Sequence, residues 1–355
     1  MQSSLTLRAG PDALRLIRDR GLRPEDIDVI PGASGGAKWL VLAGLDRYLF
    51  GELLQRPRER PLHLIGSSIG SWRMACLAQR DPVAALARGH HAYIYEQRYT
   101  RKPSTAEVTR VLGRALDLLL GPSGADEILA HPWMRVHVIT AELRGLGATG
   151  RRPMLLASLA LAIAGNVVSR RTLALQMRRW IFHSAGMDSP FTRLSDLPTR
   201  HAPLTRENVR DVLLASGAIP LVLEGVRIPG VDGGGLHWDG GVLDYHLDID
   251  FGAGEGLVLY PHFYAHVVPG WFDKSLRWRR AAAANFRRAL LIAPSDTFVA
   301  SLPGGKIPDR RDFYTMPEEE RMRRWQGVVD ASGALGEELR ELVRTGRIAE
   351  RVRLW

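Results

Sequence analysis

Gly66-Ser67-Ser68-Ile69-Gly70 reads as G-x-S-x-G. A short apolar run, Pro61 to Ile65, precedes it, and a helix-like run, Ser71 to Gln79, follows. A strand that turns sharply into a helix holds a hydroxyl out at the tip of the turn. The flanking Gly66 and Gly70 let the backbone turn without a clash. On this reading Ser68 is a nucleophile and the chemistry is acyl transfer. A plain glycine-rich turn has the same pattern, so other residues must decide.

Three further segments bear on that chemistry. Gly32-Ala33-Ser34-Gly35-Gly36-Ala37-Lys38 lies between a strand and a helix start. Its glycines admit an anion close to backbone N–H groups, and a helix N-terminus adds unpaired donors. It lacks the spacing of the phosphate-binding loops G-x-x-x-x-G-K-[ST] and G-x-G-x-x-G. In Trp238-Asp239-Gly240-Gly241-Val242-Leu243 a carboxylate stands at a glycine-flanked turn, and Asp232-Gly233-Gly234-Gly235 offers a competing one. Ala215-Ser216-Gly217-Ala218-Ile219-Pro220 is chemically bland by itself.

Taken in order, the four segments resemble the patatin-like phospholipase family, from Asp28 to about Leu247. The resemblance implies a three-layer α/β/α fold with a mostly parallel central sheet and a Ser-Asp dyad that dispenses with histidine. Ser68 then matches the nucleophile and Asp239 the dyad carboxylate, in preference to Asp232. Gly35 and Gly36 match the oxyanion loop, with Ile69 as a further donor and Lys38 at the loop's basic position. Gly66 and Gly70 frame the elbow, and Gly240 and Gly241 complete the D-G-G turn. The implied substrate is a lipid or other acyl ester, and the implied chemistry uses neither cofactor nor metal. The chain departs from the family pattern at Ser34, Trp39 and Asp244-Tyr245-His246-Leu247.

Rival assignments use the same residues. Ser68, an Asp at 232 or 239, and His262 or His266 mimic the Ser-Asp-His order of α/β-hydrolases, with substitution of His246, His262 and His266 in turn as the test. His262 and His266, four apart, have helical metal-ligand spacing without an obvious third ligand. A patatin fold that binds lipid without catalysis is a third reading.

The chain has 355 residues, 45% hydrophobic, enough for one large core. A single Cys76 excludes a disulfide framework and fits a reducing, cytoplasmic setting. A net charge of +10 favours anionic surfaces, so peripheral contact with an anionic membrane is expected; no nucleic-acid motif is present. Met154 to Val168, flanked by Arg151-Arg152 and Arg170-Arg171, is too short to span a bilayer and reads as a buried helix, a lid or an interfacial helix. The arginine clusters at 277–280, 287–288 and Arg321 to Trp325 read as solvated helix faces.

The positioning elements follow from periodicity. Helices are expected over Pro11 to Arg20, Ala37 to Phe50 and Thr205 to Ser216 (Thr205 as N-cap), and through most of 81–130. Strands are expected over Ile27 to Ile30, Pro61 to Ile65, Met134 to Leu143 and Leu257 to Tyr260. The domain expectation is an acyl-hydrolase unit over 1–271 and a mainly helical extension over 272–355, packed on it.

Overall fold

Strands and helices alternate over the first half of the chain, and apolar strands placed this way must be covered on both faces. The computed structural model, which describes residues 3–184, 189–231 and 235–355, has that arrangement. Ten strands form one mixed, mostly parallel sheet flanked by helices. They are β1 (Leu5–Ala9), β2 (Ile27–Gly32), β3 (Leu62–Ser67), β4 (Met134–Leu143), β5 (Met177–His183), β6 (Thr199–Pro203), β7 (His237–Asp239), β8 (Leu257–Pro261), β9 (Ala289–Pro294) and β10 (Arg353–Leu354). Their order is β10-β1-β9-β8-β2-β3-β4-β5-β6, with β7 beside β4. The run β9-β8-β2-β3-β4 is parallel throughout.

The segment after 271 differs from the expected helical extension. It supplies helices Glu318–Ala331 and Gly333–Arg344, but it also lays β9 between β8 and β1. Ala289–Pro294 is buried at every residue, as a central parallel strand must be. Helix Gly333–Arg344 sits on helix Ala43–Tyr48, backbone against backbone: a Cβ on Gly44 would lie 1.9 Å from Ser332 O. The Gly44 N–H donates to Ser332 Oγ at 2.9 Å. Arg321 is not on a solvated face. It is 2% exposed, stacks over Phe313 and Trp325, and donates to Gln97 O.

Two expected helices are shorter or more irregular. The 37–50 region is a 3-10 turn, Gly36–Leu42, followed by helix Ala43–Tyr48 and a π turn, Leu49–Leu53. The Thr205 helix is regular only from Val209, after a closed turn in which Thr205 O accepts the Asn208 and Val209 N–H groups at 3.2 and 2.9 Å and the Asn208 side chain accepts the Thr205 N–H at 2.8 Å.

Four histidines form a hydrogen-bonded row across β3, β4, β5 and β6. His63 Nδ1 lies 3.0 Å from His137 Nε2, His137 Nδ1 2.8 Å from His183 Nδ1, and His183 Nε2 2.9 Å from His201 Nδ1. Burial, and then neighbouring histidines, hold His137 well below the usual imidazole range and His183 at about 3. The unfolded chain therefore takes up protons on these two groups as pH falls below 6.5, where the folded chain does not, and for His183 this continues to about pH 3. Stability is fully present above pH 6.5 and declines as pH falls, by about 1 kcal/mol per pH unit for each such histidine. Urea unfolding at pH 7 and pH 5 is expected to show that loss. Equal stability at both values would remove the account.

Candidate active site

β4 positions the two principal side chains. On one edge it pairs with β3 as far as Ser67 opposite Ile139. There β3 ends, and β7 takes over with Asp239 opposite Thr140. β5 occupies the other edge of β4 over the same residues, so β7 fills the slot that β3 vacates. Successive β4 residues thus bring residues 67 and 239 side by side.

At the vacated slot the chain turns. Ser68 has φ 54° and ψ −134°, a conformation an L-residue adopts only under constraint. The constraint is visible: a Cβ on Gly70 would lie 1.9 Å from Gly32 O, and one on Gly66 would lie 2.6 Å from the Gly70 carbonyl carbon. The Ser68 N–H donates to Ser216 Oγ at 2.9 Å, and Ser216 Oγ donates to Ile139 O at 2.7 Å. This gives the bland Ala215-to-Pro220 segment a role. Helix Ile69–Leu77 is buried throughout. Trp72 Nε1 donates to Leu213 O at 2.8 Å, and Arg73 Nε donates to Asp46 Oδ2 at 2.7 Å.

Ser68 Oγ donates to Asp239 Oδ2 at 2.7 Å, and Asp239 Oδ1 accepts the Gly241 N–H at 2.7 Å. Burial pushes the Asp239 carboxyl up to about 6, against the opposing pull of the Ser68 hydroxyl, the Gly241 N–H, Lys274 and Arg310. Gly240 is required by contact: its Cβ would lie 2.3 Å from Ile139 O. At Gly241 a Cβ would lie 2.3 Å from Ser34 Oγ.

The glycine-rich loop joins the same point. Ser34 N–H donates to Tyr245 O at 2.8 Å, Ser34 Oγ lies 2.8 Å from Ser67 Oγ, and Ser67 Oγ donates to Asp244 O at 2.6 Å. Asp244 is in turn clamped by the buried Arg179, at 2.7 Å through both Nε and Nη2, and Arg179 Nη1 also donates to Asp196 at 2.7 Å. A Cβ on Gly35 would lie 2.6 Å from Phe263, and Gly36 has φ +57°. Gly36 opens a 3-10 turn and Ile69 opens a helix, so both present the unpaired N–H groups of a helix start. Lys38 Nζ lies 3.4 Å from Gly35 O, and burial lowers its ammonium below the usual range.

The histidine candidates bond elsewhere. His262 Nδ1 accepts the Tyr264 N–H at 2.9 Å, and His246 Nδ1 accepts the Val268 N–H at 3.0 Å. His266 stacks on Tyr264. Among the described residues no histidine is hydrogen-bonded to Ser68 or Asp239, and no group of histidine, cysteine or carboxylate side chains is placed to hold a metal. The competing Asp232, with Gly233 and Gly234, lies outside the described residues.

The patatin-like phospholipase family model matches residues 32–246. The chain belongs to that family. The match spans the loop, elbow and D-G-G turn of this patatin-like chain and ends at His246. No curated relative matches it. Among solved structures, VipD from Legionella pneumophila is similar at 12% identity and a TM-score of 0.32, over 95% of this chain and 70% of that one; so distant a likeness adds nothing to the site.

Two cavities meet at Ser68 in this patatin-like fold, one of about 540 Å³ and one of about 390 Å³. Ser68, Gly36, Ile219 and Arg310 belong to both walls. Sequence reasoning missed Lys274 and Arg310 on the larger cavity, and Tyr93 and Phe313 on the smaller. Their types carry no signal until the C-terminal segment is folded over the elbow.

Proposed function

We propose that the chain is a serine acyl-ester hydrolase of lipid type, working through Ser68 and Asp239. The observation that carries the reading is the 2.7 Å hydrogen bond from Ser68 Oγ to Asp239 Oδ2 at the rim shared by two cavities. Asp239 accepts the hydroxyl proton as Ser68 Oγ attacks the ester carbonyl. The oxyanion gathers on backbone N–H groups at Gly35, Gly36 and Ile69. Collapse breaks the ester bond, and the proton held on Asp239 passes to the leaving alkoxide. Water then gives its proton to Asp239 and attacks the acyl-enzyme, releasing the fatty acid and restoring Ser68. Burial suits Asp239 to this work, since a base near 6 matches neutral pH better than an ordinary aspartate.

A fluorophosphonate probe tests the reading. One covalent adduct on Ser68, located by peptide mass spectrometry, is expected. An unlabelled Ser68 under every lipid condition would favour a lipid-binding protein without catalysis.

We also propose that helix Arg152–Val168 rests on an anionic bilayer. Among the described residues no helix is long and apolar enough to cross a membrane. The outward face of this one nevertheless carries Met154, Leu156, Leu161, Ile163, Val167 and Val168, with no charge between Arg152 and Arg170. A solvent-facing helix normally reverses that pattern. Arginines at both ends and the exposed Trp278 suit a phospholipid surface. The helix is joined to the larger cavity: Asn166 Nδ2 donates to Asp273 at 2.7 Å, beside Lys274. Co-sedimentation with phosphatidylglycerol vesicles at low salt is expected, with binding falling at least about tenfold in Leu161→Asp/Ile163→Asp. Undiminished binding of that variant would remove this helix from the contact.

A further inference from the structure

We infer that Ser34 is a positioning residue: its hydroxyl closes a ring of hydrogen bonds that holds the Gly35 and Gly36 N–H groups in place relative to Ser68 and Asp239. The inference rests on the acyl-hydrolase reading and adds a side chain that acts through its neighbours.

Three segments carry the proposed reacting groups, and each contributes a residue to the ring. Ser34 precedes Gly35 in the glycine-rich loop, Ser67 precedes Ser68, and Asp244 follows the D-G-G turn. The Asp244 N–H donates to Gly240 O at 2.9 Å, so Asp244 is tied to that turn. The proton count sets the direction of the bonds. Ser67 Oγ donates to Asp244 O at 2.6 Å, which uses its only proton. The Ser34 hydroxyl, 2.8 Å from Ser67 Oγ, is then the donor between the two, with Ser67 O as a second acceptor at 3.1 Å. The Ser34 N–H donates to Tyr245 O at 2.8 Å, one residue beyond Asp244, and closes the ring. Ser34, Ser67 and Asp244 are all buried, where water does not compete for these bonds.

Ser34 matters because the loop has little else to hold it. Among the described residues, the hydrogen bonds that tie residues 33–36 to segments outside the loop are those of Ser34. Lys38 meets Gly35 O from within the loop, at 3.4 Å through both its N–H and its Nζ. Gly35 and Gly36 bring no side chains, and glycine has the freest backbone of any residue. An alanine at position 34 would keep the backbone bond to Tyr245 and lose the bonds to Ser67.

The ring is also anchored in the sheet. Arg179 on β5 grips the Asp244 carboxylate through Nε and Nη2 at 2.7 Å each, and Asp196 accepts from Arg179 Nη1 at 2.7 Å. A guanidinium fork of this kind fixes angle as well as distance. Oxyanion donors work only when they are set beforehand where charge develops, and a displacement of about 1 Å costs about a hundredfold in rate. The uncharged ester carbonyl makes a weaker demand, so Ser34 should register in the chemical step and not in ground-state binding.

Ser34→Ala tests this on the intact chain. With p-nitrophenyl butyrate, kcat is expected to fall at least about tenfold and KM to stay within about twofold, since acylation and deacylation use the same donors. A long-chain alkyl trifluoromethyl ketone reads the oxyanion directly. Ser68 Oγ adds to its carbonyl carbon, the hydroxyl proton passes to Asp239, and the carbonyl oxygen becomes the anion. Its affinity should fall by about the factor lost in kcat/KM, while the matching trifluoromethyl carbinol, which cannot accept Ser68, binds within about twofold of wild type. A general loosening of the site would weaken both ligands. Ser67→Ala breaks the ring at its next joint, so the loss in Ser34→Ala/Ser67→Ala should be smaller than the product of the two single losses.

An unchanged kcat in Ser34→Ala, equal weakening of ketone and carbinol, or single losses that multiply would each overturn the positioning role. A wild-type protein that neither cleaves the ester nor prefers the ketone to the carbinol would fell the hydrolase reading, and this inference with it. An active wild type matched by Ser34→Ala would fell the inference alone.

Discussion

Ser68→Ala is expected to lower hydrolysis of every acyl ester by at least about a thousandfold while the protein remains folded. The size follows from the place of the hydroxyl. Ser68 Oγ bonds to Asp239 alone, and among the described residues no second hydroxyl is bonded to that carboxylate. Folding should survive because the turn is held by the backbone. The Ser68 N–H, the Gly32, Gly66 and Gly70 contacts and the buried helix that follows do not involve Oγ. Retention of more than a few per cent of wild-type kcat/KM in the purified variant, with contaminating esterases excluded, would end the Ser68 assignment.

Asp239→Asn is expected to cost activity on a similar scale and to move stability the other way. An amide cannot accept the Ser68 proton. The wild-type rate should also depend on the carboxyl itself: below pH 6, kcat/KM should drop about tenfold per unit as Asp239 becomes protonated. The stability sign is worked out from the same shift. Asp239 titrates near 6 when folded, against 3.8 for the ordinary group. Between those values the folded chain holds a proton that the unfolded chain has lost. Stability therefore falls as pH rises through this window and stays reduced at neutral pH, by about 1–3 kcal/mol. Asparagine carries no such penalty and can still accept the Gly241 N–H. The variant is thus expected to unfold at the wild-type temperature or above it at pH 7. A variant that is both inactive and several degrees less stable would point to a structural carboxylate instead.

Much of the site was legible because it is written in local chemistry. Gly66 and Gly70 announce a backbone that needs room, and the contacts at Gly32 show why. Met134–Leu143 alternates and carries β-branched residues, so β4 could be drawn residue for residue. β5 could not. Met-Arg-Arg-Trp-Ile-Phe-His places two arginines in a strand, and Arg179 is tolerated there because Asp196 and Asp244, distant in sequence, pair with it. β9 was hidden for another reason: a short apolar run in a polar, arginine-rich tail carries no sign of its neighbours until β8 and β1 accept it. The basic lining of the larger cavity was illegible for the same cause, since Lys38, Lys274 and Arg310 meet only in space.

The handover on β4 has a wider consequence. Ser68 and Asp239, the proposed nucleophile and base, stand 171 positions apart along the polypeptide, yet their separation is metered by two neighbouring rungs of one ladder. The connections before and after β4 are free to lengthen, shorten or change their walls, provided that β4 and Ser216, which hold the pair, stay in place. On the proposed reading, substrate choice can therefore drift while the chemical step stays fixed, whereas a slip of register on that single strand would uncouple the pair.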